Sequence, residues 1–102
     1  MNHFGERMHV LNKNNFEDFL YKENLDKMRR KIYFFMLNNQ SENDFFDIEE
    51  FNRKYVRNMD KTNKMVNEIV LELNQLGWKT HLGFGNTGLY IYSSEELPSS
   101  AW

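Results

Sequence analysis

The feature that most constrains the fold is a change of period at Gly77. Before it, Met65, Val66, Ile69, Leu73 and Leu76 recur with helical spacing as one apolar stripe. After it, Trp78, Leu82 and Phe84 share one parity while Lys79 and His81 share the other, as in a half-buried strand. A glycine at such a junction is the natural C′ residue, because it takes the left-handed conformation that stops a helix. A helix leading directly into β-structure is therefore expected, which sets the fold class as α+β.

The following glycines, Gly83, Gly85 and Gly88, spell G-x-G-x-x-G. A dinucleotide fingerprint needs a helix after the motif, with the pyrophosphate on its N-terminus. Here the strand-like run Leu89 to Tyr92 follows instead. A kinase-type loop does lie between strands, but no lysine-bearing third strand or catalytic loop accompanies it. A β-hairpin accounts for the glycines more simply. A two-residue loop at Gly85 and Asn86 sets Leu82 opposite Leu89 and Thr80 opposite Ile91. A four-residue loop over 85–88 sets Phe84 opposite Leu89 and Leu82 opposite Ile91. Either register pairs apolar with apolar, so the glycines are read as turn or close-approach residues and no cofactor is expected.

Upstream, Asn24 is placed to cap a helix whose Leu25, Met28, Ile32, Phe35 and Met36 share one face, ending at Asn38 and Asn39. Phe16, Phe19 and Leu20 form either a short separate helix or an extension of it. Asp47 to Glu50 has the form of a capping box ahead of Ile48, Phe51 and Tyr55, predicting a second helix near 47–57. A break at Asn58 and Met59, with Asp60 as the next cap, opens a third. The short connection between these two is the spacing of a helix-turn-helix.

A chain of 102 residues with 40% apolar content suits one domain: an arm over 1–14, helices plus hairpin over 15–93, and a tail over 94–102. With no cysteine there is no disulfide, zinc-thiolate site or thiol nucleophile. No run is apolar enough for a signal segment or membrane span, so an intracellular protein is expected, with no membrane and no small-molecule substrate. His3, His9 and His81 are too scattered for a metal site, and the acidic block lacks the glycine turn of a calcium loop. Neither an activated nucleophile nor a paired acid and base is visible, which points away from an enzyme.

The net charge of −2 conceals strong segregation. Lys27, Arg29, Arg30 and Lys31 stand against Asp26, the acidic residues Glu42, Asp44, Asp47, Glu49 and Glu50 follow, and Arg53, Lys54, Arg57, Lys61 and Lys64 then stand against Asp60. The acidic block crowds a helix N-terminus, where the macrodipole favours it. The basic block at 53–64 either is neutralised by those carboxylates or forms a phosphate-docking surface. On the hairpin, Lys79, His81, Tyr90 and Tyr92 share the second face. They form a base-stacking or partner-binding row, homo-oligomer contacts included, unless residues 8–11 pair over it as a third strand.

The order over about residues 24–93, a helix, a helix-turn-helix and a hairpin, resembles the winged-helix architecture. That resemblance implies that the third helix enters a DNA major groove and the hairpin tip touches the backbone. Lys61, Thr62, Asn63, Lys64 and Asn67 would then be exposed contacts, with Arg53, Lys54 and Arg57 on phosphates. The hairpin tip is short and uncharged, and many winged helices bind proteins instead. Residues 76–92, with the ending Pro98 to Trp102, are similar to small proteins of large DNA viruses, a resemblance that carries no activity. It agrees with 14 asparagines against one alanine and one proline, a composition of A/T-rich coding. The expectation is a non-enzymatic nucleic-acid-binding module, the alternative a protein-interaction or virion-assembly module.

Overall fold

The first helix starts at Asn12, whose side-chain oxygen accepts the Asn15 N–H at 2.9 Å and satisfies an orphan donor of the first turn. The computed structural model describes residues 12–38 and 44–93. Helix α1, Lys13–Asn38, is continuous, so Phe16 to Leu20 extend it rather than form a separate helix. Lys13 and Asn14 therefore leave the expected arm and join the helix. Asn24 is not the cap: it sits mid-helix at 8% exposure, on the same face as the fully buried Met28 and Ile32. Residues 8–11, the expected alternative third strand, lie outside the described residues, as does the 94–102 tail.

The chain continues through β1 (Phe46–Asp47), α2 (Ile48–Phe51), a π-helical turn (Asn52–Val56), α3 (Met59–Gln75), β2 (Lys79–Gly83) and β3 (Gly88–Tyr92). This is an α+β architecture with a three-stranded antiparallel sheet in the order β1-β3-β2. The expected two-stranded hairpin is thus corrected. Phe46 pairs with Leu89 and Asp47 with Gly88, which makes β3 the central strand. A two-residue strand carries no readable alternation, so only its partner reveals it.

Asp47 caps α2 as expected, accepting the Glu50 N–H at 2.9 Å. After one turn the helix widens, the Arg57 N–H reaches the Asn52 carbonyl at 2.6 Å, and Arg57 turns left-handed at φ 57°. The next cap is Asn58 rather than Asp60: its side chain accepts the Lys61 N–H at 3.1 Å. Asp60 instead occupies the first turn, where its charge suits the dipole.

At the other end of α3, Gly77 takes φ +97°. Its N–H bonds the Asn74 carbonyl at 3.1 Å and that of Trp78 bonds the Leu73 carbonyl at 2.9 Å, a Schellman closure. Leu76, expected in the apolar stripe, is 67% exposed because it lies in the closing turn beyond the packed face. The core gathers Met28 and Ile32 of α1, Ile48 and Phe51 of α2, Met65, Ile69 and Leu73 of α3, and Leu89 of β3. Trp78, Leu82 and Ile91 pack against it partly buried.

Leu82 pairs with Leu89 and Thr80 with Ile91, the first of the two expected registers, and Gly83 pairs with Gly88. Phe84, Gly85 and Asn86 in the intervening turn all take positive φ. The Thr87 N–H closes it on the Gly83 carbonyl at 3.1 Å. Gly85 supplies backbone freedom at φ +66°, whereas Gly88 serves close approach: a Cβ there would lie 2.8 Å from Phe45 Cδ2. Both glycines thus have structural uses. Among the described residues, no helix is long and apolar enough to cross a membrane.

Candidate nucleic-acid interface

Helix α3 distributes its side chains by chemistry. Thr62, Met65, Val66, Ile69 and Leu73 face the core. Its two later carboxylates face α1, where Tyr21 donates its phenolic O–H to Glu68. Arg29 grips Glu72 with Nε to Oε1 at 2.9 Å and Nη2 to Oε2 at 2.7 Å. These hydrogen bonds hold the Glu72 carboxyl below its ordinary range and push the Arg29 guanidinium further up. Burial, then the bond to Glu68, raises the Tyr21 phenol.

What remains outward is a stripe of polar and cationic residues interrupted by the exposed Leu71. Asp60, Lys64, Asn67, Leu71 and Asn74 are exposed at i, i+4, i+7, i+11 and i+14, with Lys61 and Asn63 beside them. Asp60 is the one carboxylate in it, at the helix start. Arg53 and Arg57, on the preceding turn, are exposed as well.

Among the described residues, the carboxylates ahead of this block leave most of its cations uncompensated. Lys54 lies 3.9 Å from Glu50 one helical turn away, an exposed pair of little energetic weight. Among the described residues, Arg53, Arg57, Lys61 and Lys64 make no ion pair. Lys64 leans toward α1, with Nζ 5.4 Å from the Tyr21 ring centroid.

Thr62 departs from its expected place. It is fully buried and its hydroxyl donates to Asn52 Oδ1 at 2.7 Å, because it lies three and four residues before Met65 and Val66 and so shares the buried face of α3. The same Asn52 oxygen accepts the Asn58 N–H at 3.0 Å, tying the π turn to α3.

The hairpin's second face is not an open row, one of the two alternatives expected for it. Tyr90 is 2% and Tyr92 5% exposed. Phe45 crosses that face, 5.6 Å from Tyr90 and 4.8 Å from Phe84 between ring centroids. His81 adds a further ring 6.1 Å from Tyr90. Alternation groups Lys79, His81, Tyr90 and Tyr92 on one face; it does not say that Phe45 covers Tyr90. Lys79 remains exposed and His81 half-buried.

Among the described residues, no group of three or more His, Asp or Glu side chains is placed to hold a metal ion. Comparison with family models, curated proteins and solved structures found no match.

Proposed function

We propose that the chain is a non-enzymatic nucleic-acid-binding module of winged-helix type, with α3 as its reading helix. The observation that carries this is the sorting of charge on α3, where Glu68 and Glu72 are engaged by α1 and the outer stripe offers Lys61, Asn63, Lys64 and Asn67. Lysines supply phosphate contacts, and asparagine amides match the paired donor and acceptor of adenine in the major groove. Arg53 and Arg57 add phosphate contacts from the turn before the helix. The element order α1-β1-α2-α3-β2-β3 and the sheet order β1-β3-β2 support the same reading. The Phe84 to Thr87 turn is then the wing, contacting the backbone without charge.

Neutralising about four phosphates lowers duplex affinity roughly a hundredfold between about 50 and 200 mM salt. The test is duplex DNA binding across that range for the wild type and for Lys61→Ala with Lys64→Ala. The double substitution is expected to flatten the logarithmic salt slope by about two. Undetectable wild-type binding at low salt, or a slope unmoved by the substitutions, contradicts the proposal.

A further inference from the structure

A second surface lies between the C-terminal half of α1 and the β1–α2 segment. There a groove of about 660 Å³ is lined by Lys27, Arg30, Lys31 and Phe34 of α1 and by Phe46, Glu50 and Tyr55 of the segment that follows. It runs on into a recess of about 270 Å³ that shares Lys31, Phe46, Glu50 and Tyr55 and reaches Lys54. Phe34 is 66% exposed, a large apolar ring left in solvent. The lysine ammoniums are held rather than loose: Lys27 Nζ lies 4.5 Å and Lys31 Nζ 5.2 Å from the Tyr55 ring centroid. Among the described residues, Lys27, Arg30 and Lys31 make no ion pair, and Glu50 is the groove's one carboxylate.

We propose that this groove docks an extended acidic peptide segment of a partner protein, with an aromatic or leucine anchor on Phe34 and Phe46. Charge complementarity selects the acidic character, since α1 lines the groove with three uncompensated cations. The rings lining it select an apolar anchor between the acidic residues. Two details favour a peptide over a nucleic-acid strand. Tyr55 already carries two ammoniums over its ring, which removes it as a stacking platform, and Glu50, beside Lys54, is placed to accept a peptide N–H, a donor that a phosphodiester backbone lacks.

The probe is a fluorescein-labelled peptide alternating glutamate with phenylalanine, measured by anisotropy against the full chain. A lysine-for-glutamate peptide and a single-stranded DNA oligonucleotide serve as comparisons. The glutamate peptide is expected to bind, and Lys27→Glu with Lys31→Glu to weaken it by roughly tenfold or more. Phe34→Ser, at an exposed position that leaves folding intact, is expected to weaken it by about tenfold. Lys61→Ala with Lys64→Ala should leave peptide affinity unchanged, which separates this site from the outer face of α3. Equal binding of the lysine peptide, insensitivity to Phe34→Ser, or occupation of the groove by the oligonucleotide in place of the peptide overturns the proposal.

Discussion

Thr62 donates its hydroxyl to the side-chain oxygen of Asn52 at 2.7 Å, from a position with no solvent exposure, and so fixes the turn before α3 to the helix itself. Asn52 takes the Asn58 N–H on the same atom. Removing the acceptor leaves the buried Thr62 hydroxyl unsatisfied and breaks the exposed bond from the Asn58 N–H, so Asn52→Ala should lose about 1–3 kcal/mol in urea unfolding. Thr62→Val removes one donor and keeps the other bond, and should lose less, about 0.5–1.5 kcal/mol. Equal losses would show that the shared oxygen is not the joint.

Gly88 lies under Phe45. Its Cβ in Gly88→Ala would meet Phe45 Cδ2 at 2.8 Å and Phe84 Cδ2 at 3.0 Å, forcing the rings away. A loss of about 1–3 kcal/mol in thermal unfolding is expected, as for other overpacked sites. Adding Phe45→Ala should make the Gly88→Ala step cheaper than it is in the wild type. Full additivity of the two substitutions would place the strain elsewhere.

Arg57 holds φ 57°, a conformation that costs a non-glycine residue about 1 kcal/mol or more. Its exposed cation is the proposed reason such a residue persists there. Arg57→Gly should therefore keep or raise the melting temperature while weakening duplex DNA binding. A variant that melts earlier and binds DNA normally would remove Arg57 from the interface.

The Arg29–Glu72 pair gives a pH dependence of defined sign. Glu72 has a depressed folded pKa, so its contribution is complete above the unfolded carboxylate value of about 4.3 and fades as pH falls through the folded value. With side chains 29% and 36% exposed, solvent screening holds the pair to about 1 kcal/mol or less. The stability gap between wild type and Glu72→Gln should be present at neutral pH and close in acid. A gap that persists in acid would assign the effect to packing.

The junction at Gly77 was legible because a Schellman closure depends on one glycine, and the hairpin register because parity leaves few choices. The α3 core residues Ile69 and Leu73 followed from the same periodicity. What was not legible depends on residues distant in sequence. Asn58 outcompetes Asp60 as cap because Asn52 receives its N–H, and β1 exists only because Leu89 and Gly88 lie alongside it. Tyr90 is buried because Phe45, from the strand's approach, lies on it. The candidate cations could be named from their block. That Arg53, Arg57, Lys61 and Lys64 make no ion pair among the described residues could not be read there, because Arg29 and Tyr21, far away on α1, engage the carboxylates of α3.

The central claim is that the outer stripe of α3 meets nucleic acid, and amide chemical shifts of the full chain titrated with duplex DNA at low salt test it most directly. The largest changes are expected at the backbone amides of Lys61, Asn63, Lys64 and Asn67, at the side-chain amides of Asn63 and Asn67, and around Gly85 and Asn86, all fading as salt is raised. Shifts concentrated on Lys27, Arg30, Lys31 and Phe34, or none at low salt, would contradict it.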